Sequence, residues 1–106
     1  MTSLLVLQAV TEKDFQQQVV TLARVCGWRV YYTTDSRRSP FGFPDLCMVR
    51  PPRLLYAELK TMRGRLTPQQ IEWLDDLRRV TGVEVRQWKP SDWDEIVAVL
   101  ERGKEA

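Results

Sequence analysis

The stretch Phe41-Gly42-Phe43-Pro44-Asp45-Leu46, followed twelve residues later by Glu58-Leu59-Lys60, decides how the rest of the chain is read. Asp45 opens an apolar run that ends at Arg50 and reads as a strand. Pro51-Pro52-Arg53 reads as a tight turn, and Leu54 to Thr61 reads as the next strand, joined to the first as a hairpin. Side chains alternate along a strand, so Glu58 and Lys60 share one face while Ala57 and Leu59 point the other way. Neighbouring strands would bring two carboxylates and an ammonium to one spot. Two readings of that spot stand side by side. In one, Glu58 and Lys60 are an ion pair on the wet side of a hairpin. In the other, the charges are kept mid-strand for a purpose, because burying them is costly without a partner, and the carboxylates supply hard oxygen ligands to a divalent cation.

Composition narrows the chemistry. A chain of 106 residues with 43% hydrophobic and 28% charged residues is one globular domain with room for a single core. The boundaries expected are an arm over 1–10, one domain over 11–102 and a tail over 103–106. There is no histidine, which removes His-based triads, His-ligated zinc and His general bases together. Net charge is only +2, but twelve of the sixteen basic residues are Arg, whose planar fork matches phosphate. Nucleic acid is thus a partner class consistent with the composition. Cys26 and Cys47 lie in apolar patterns without metal-ligand spacing and read as reduced core residues, which suits a cytoplasmic setting. Leu4-Leu5-Val6-Leu7 is too short to span a membrane and lacks the flanks of a signal peptide.

Working outward, residues 1–10 admit a short strand, a helix extension or an exposed apolar arm. Thr11 reads as an N-cap, with Glu12 and Asp14 in the first helical turn. The helix predicted over 12–26 carries Phe15, Val19, Leu22, Ala23 and Cys26 on one face. At about 100° per residue Glu12 falls on that stripe. It either points inward at a site or bends out to water. Gly27 ends the helix, and Trp28 to Thr33 reads as a strand. Thr34 to Pro44 is a polar loop in which Arg37 and Arg38 sit among hydroxyls: a phosphate-contacting loop, or an ordinary solvated one.

After the hairpin, Met62-Arg63-Gly64-Arg65 is a basic turn. Thr67-Pro68-Gln69-Gln70 is a helix start with Thr67 as N-cap, Pro68 at the first position and Gln70 closing a capping box. Trp73, Leu74 and Leu77 form an inward stripe with Gln70 on it, so Gln70 could cap, serve a site, or do both. Gly82 ends that helix. Val83 and Val85 face inward in the strand to Trp88, with Glu84 and Arg86 outward. Pro90 breaks, Ser91 caps, and Trp93, Ile96, Val97 and Leu100 line a last helix. The order αβββαβα predicts an α/β domain: a four-stranded mixed sheet flanked by helices, its last strand parallel to a neighbour.

The pattern Gly42-x-Pro44-Asp45-Leu46, Glu58-x-Lys60 and Gly64-x-Leu66-Thr67-Pro68-x-Gln70-x-x-Trp73-Leu74 resembles the VRR-NUC domain, a branch of the PD-(D/E)xK nuclease superfamily. The similarity covers about residues 11 to 101, including Glu12, Gly27-Trp28, Trp88-x-Pro90 and Asp92-Trp93. It implies a restriction-endonuclease-like core and a Mg²⁺- or Mn²⁺-dependent DNA endonuclease. Asp45 and Glu58 would hold the metal with the backbone carbonyl of Leu59, and Glu12 would join directly or through water. Lys60 would orient water or neutralise charge, and Gln70 would position water or phosphate. Arg37, Arg38, Arg63 and Arg65 would grip the DNA backbone. A small chain of this kind looks like stand-alone viral or bacterial members, some of which resemble Holliday-junction resolvases and act as homodimers on branched DNA. A flap or nicking nuclease, and a DNA-binding module that does not cut, are the competing readings.

Overall fold

The computed structural model describes residues 3–33 and 40–103. Helices α1 (Leu4–Ala9) and α2 (Glu12–Val25) open the chain. Strands β1 (Arg29–Tyr32), β2 (Leu46–Arg50) and β3 (Arg53–Leu59) follow. Helix α3 (Pro68–Arg78) crosses to β4 (Val83–Trp88), and a 3-10 turn at Pro90–Asp92 leads into α4 (Trp93–Glu101). The sheet order is β1-β2-β3-β4, with the first two pairs antiparallel and β3–β4 parallel. This is the mixed four-stranded sheet with flanking helices expected from the sequence. The stretch with three open readings is a short helix: the Ser3 hydroxyl accepts from the Val6 N–H. None of its residues is buried. No helix among the described residues is long and apolar enough to cross a membrane.

The hydrophobic core lies on one face of the sheet. Phe15, Val19 and Ala23 of α2 and Ile96 and Leu100 of α4 are fully buried against Leu46, Met48, Leu55, Ala57 and Leu59. Alternation turns Cys47, Leu54, Tyr56 and Glu58 to the opposite face, the face on which α3 buries Leu74. Several details depart from the sequence reading. Trp73 remains 37% exposed, because it packs edge-on against Phe43 instead of entering the core. Cys47 is half-buried on the α3 face. Tyr32 packs against the core and only Tyr31 of the two is exposed. Val99, not Val97, joins Ile96 and Leu100 inside. Ser91 is not the cap: Asp92 precedes α4, and its carboxylate accepts from the Lys89 N–H at 2.8 Å, closing the 3-10 turn.

The hairpin arginines lock one end of the domain. Arg50 and Arg53 pair across the turn and each guanidinium lies 4.7 Å from the Trp28 ring centre, within cation–π range. Arg50 donates to the carbonyls of Cys26 (2.7 Å) and Leu100 (2.9 Å), and also to that of Arg102. Arg53 donates to the carbonyls of Val99 (3.0 Å) and Arg102 (2.8 Å). These are carbonyls at the C-terminal ends of α2 and α4, which lack helical partners and carry the negative end of the dipole. The Trp28 indole N–H donates to Leu100 as well. Arg53 is held in turn by a two-point contact with Glu84, both distances 2.7 Å. Glu84, expected on a wet face, is therefore spent on structure.

Arg53 hydrogen bonds with Glu84 hold its carboxyl below the usual range, so its contribution to stability is present above about pH 4.5 and is lost as pH falls through its lowered folded value. Arg53→Ala should destabilise the domain by about 2–4 kcal/mol in urea unfolding. Arg53→Lys should recover little of that loss, because an ammonium cannot reproduce the fork. Equal stability of the lysine variant and the parent would contradict this account.

Candidate active site

Register brings the acids together. Leu46 pairs with Ala57 across the hairpin, so one further step sets Asp45 opposite Glu58 on the α3 face. The Leu59 N–H donates to Asp45 Oδ2 at 2.8 Å, which fixes that carboxylate at the mouth of the strand pair. The burial of Glu58 removes the wet-hairpin reading: it is 1% exposed, the buried charged residue among those described. Gln70, from the first turn of α3, covers it. The Gln70 amide donates to Glu58 Oε2 at 2.8 Å while its carbonyl oxygen accepts from the Thr67 N–H at 2.9 Å. Gln70 thus closes the capping box and touches Glu58 at the same time, because a side-chain amide has a donor end and an acceptor end. Lys60 Nζ lies 3.6 Å from the same Oε2. Glu58 Oε1 is buried with no hydrogen-bond partner.

An orphaned buried carboxylate oxygen beside a second carboxylate is electrostatically unfavourable as it stands. Burial pushes the Glu58 carboxyl up to about 8, and the nearby charge of Asp45 adds to the rise while Lys60 opposes it. Burial also raises Asp45, against the lowering effect of the Leu59 N–H, and Glu12 raises it further. The donor set is hard oxygen, of the kind that suits Mg²⁺ or Mn²⁺. A divalent cation fits here on the chemistry of the orphaned oxygen: it would satisfy Oε1 and relieve the repulsion between the two acids.

The remaining candidates divide. Glu12 does not point into the core as its place on the helical stripe suggests: it is exposed. Its first-turn position leaves it at the open end of the sheet, near enough for its charge to raise both acids. Among the described residues no three side chains of metal-ligand type converge. Arg63 and Arg65 are exposed in the turn after β3. Arg37 and Arg38 lie outside the described residues. The sequence reading missed Lys89, whose Nζ donates to the Met62 carbonyl at 3.3 Å and so joins the basic turn to the end of β4. Its signal was its place directly after a strand that runs parallel to β3.

The loop before Asp45 is tied to α3. Gly42 has φ +94°, and a Cβ there would come within 2.6 Å of the Gln69 backbone carbon. Only glycine allows this approach. Phe43 then lies edge-on to Trp73 and Tyr56, with ring centres 5.0 and 5.7 Å away. The loop carrying Asp45 and the helix carrying Gln70 are thereby held as one unit.

Two outcomes test this geometry. Glu58 is protonated in the fold up to about pH 8 but ionises near 4.5 when unfolded, so the metal-free domain loses stability as pH rises through that window. Glu58→Gln should flatten this loss and leave the variant more stable than the parent by about 2 kcal/mol or more at the alkaline end. Unfolding curves with identical pH slopes would contradict the burial argument. Gly42→Ala should cost about 1–3 kcal/mol through its left-handed backbone alone, and more if the loop cannot back away from Gln69; a neutral effect would mean that the loop is not pressed against α3.

The family model for the VRR-NUC domain matches residues 4–89. A solved structure titled "VRR_NUC domain" superposes with a TM-score of 0.67 at 20% identity, covering 85% of this chain and 97% of that one. At that identity the superposition speaks for the fold. No curated protein matches the sequence at a significant level. With most of its length accounted for by the family model, the chain belongs to the VRR-NUC domain family, a nuclease family that is generally dependent on divalent metal.

Proposed function

We propose that the chain is a Mg²⁺- or Mn²⁺-dependent DNA endonuclease whose centre is built from Asp45, Glu58, Lys60 and Gln70. The observation that carries this reading is the partnerless buried Oε1 of Glu58, on a side chain opposite Asp45 and within reach of an ammonium. Asp45, Glu58 and the backbone carbonyl of Leu59 would hold the cation, with Glu12 contributing through water. When bound, such a cation makes a bound water a nucleophile near neutral pH and neutralises charge on the phosphoryl group. Gln70 holds Glu58 in one rotamer, so that Oε1 stays directed at the site. Lys60 places a fixed positive charge where the phosphodiester becomes more negative in the transition state. Arg63 and Arg65, with Arg37 and Arg38, contact phosphates and so favour a DNA shape over a base sequence.

The substrate is branched DNA, cut as a Holliday-junction resolvase would cut it, by a twofold dimer in the cytoplasm of a bacterial or phage-infected cell. An isologous dimer presents two equivalent sites to a symmetric junction. The exposed Leu4, Leu5 and Val6 of α1 support a contact between chains.

Asp45→Asn should abolish Mg²⁺-dependent cutting of every DNA while junction binding persists. Cutting at the parental rate in that variant would remove the site. A panel of duplex, flap, splayed-arm and four-way-junction DNA separates the readings. Symmetric incision of the junction supports the resolvase. Cutting of flaps alone points to a monomeric flap nuclease, and no cutting with either metal leaves a binding module.

A further inference from the structure

A pocket of about 240 Å³ opens beside the acid pair, walled by Gln16, Thr33, Phe41, Phe43, Asp45 and Gln70. Phe41 is 80% exposed. Phe43 is engaged with Tyr56 and Trp73, whereas Phe41 has no aromatic partner among the described residues. Its position is nevertheless set, because the adjacent Gly42 is pressed against the backbone of Gln69. On its far side Phe41 borders a second hollow that contains Glu72 and Asp76. Those carboxylates repel phosphate. A strand reaching the acid pair would therefore lie on the near side, with Phe41 at the edge of its path.

We propose that Phe41 is a stacking platform for an unpaired nucleobase beside the scissile phosphate, and that the pocket between Phe41 and Gln16 receives that base. The proposal rests on the nuclease reading of Asp45 and Glu58. Every base has a π-face, so an aromatic platform holds DNA without reading its sequence. A paired base must be unstacked to reach such a platform, at a cost that is smallest where the base is already unpaired. Phe41 thus selects for strand exchange points, gaps and flaps, and it does so next to the cut. Gln16 and Thr33 also line the pocket and offer an amide and a hydroxyl to a base edge.

The test uses the full chain carrying Asp45→Asn, with Mg²⁺ present, so that bound DNA stays intact. It is titrated with four-way-junction and matched duplex DNA bearing 2-aminopurine at successive positions around the branch. A fluorescence change is expected at a position flanking the branch and not in the duplex. Adding Phe41→Ala should remove that change and weaken junction binding by about 5- to 100-fold, the range set by one base–aromatic stack. Phe41→Trp should retain both. In the otherwise unaltered chain, Phe41→Ala should raise KM for the junction, and Phe41→Trp should restore it. Identical signals and affinities with and without Phe41→Ala overturn the proposal. If the parent cuts no DNA but the Phe41-dependent signal is present, the stacking site stands and the nuclease reading falls. If the parent cuts and the signal is absent, the stacking site alone falls.

Discussion

A carboxyl group taken out of water with one oxygen left without a donor is the constraint around which this domain is arranged. Glu58 sits opposite Asp45 by strand register, and burial, with the charge of Asp45 adding to it, raises its carboxyl far above the ordinary range. A fold tolerates such a group only if something answers it. Gln70 and Lys60 answer one oxygen. The other is the position at which a cation would do most for stability and for chemistry together. Two helix N-termini, those of α2 and α3, carry Glu12 and Gln70 toward this end of the sheet, and their dipoles favour negative charge there.

The opposite end of the sheet does contrary work. There Arg50 and Arg53, back to back across the hairpin turn, supply donors to the spent ends of α2 and α4 and flank Trp28. The positive charge neutralises carbonyl ends that would otherwise be unsatisfied. The hairpin β2–β3 thus has polar groups at both ends: arginines at the turn, tied to helix ends, and the two acids at the mouth. Glu84, by holding Arg53, belongs to the stabilising end although it sits half-buried on an edge strand.

Beside the acid pair, and carrying Asp45, lies the loop 40–45. It is placed by a steric condition, the absence of a side chain at Gly42, and by the edge-on packing of Phe43 on Trp73. The same contact explains why Trp73 stays near the surface. It is the floor of the loop and not a member of the core. Phe41, one residue before the glycine, inherits a defined place without being buried.

Much of this was legible in the sequence, for local reasons. The capping box at Thr67 to Gln70, the period-two pattern from Asp45 to Thr61, and the glycines at 27 and 82 each act over a few residues, so they can be read without a partner. The order of elements then implied a mixed sheet, since a strand that returns through a helix runs parallel to its neighbour. The pairing of Asp45 with Glu58 was suggested by spacing, but the face it would lie on was not. Only α3 closing over that face decided that Glu58 is buried, and only the Gly42 approach decided where the loop lies. Which of its two open directions Glu12 takes was not legible for the same reason. Helical periodicity states which side a residue is on, whereas the first turn of α2 lies beyond the edge of the core, where water reaches it. The roles of Arg53 and Glu84 were likewise invisible, because they depend on the C-terminal carbonyls of helices distant in the chain. What the sequence determined by itself are the elements and their chemistry, which follow from neighbours within one turn or one strand. What the tertiary structure decided is which charges lose their water, because that depends on surfaces brought together from distant parts of the chain.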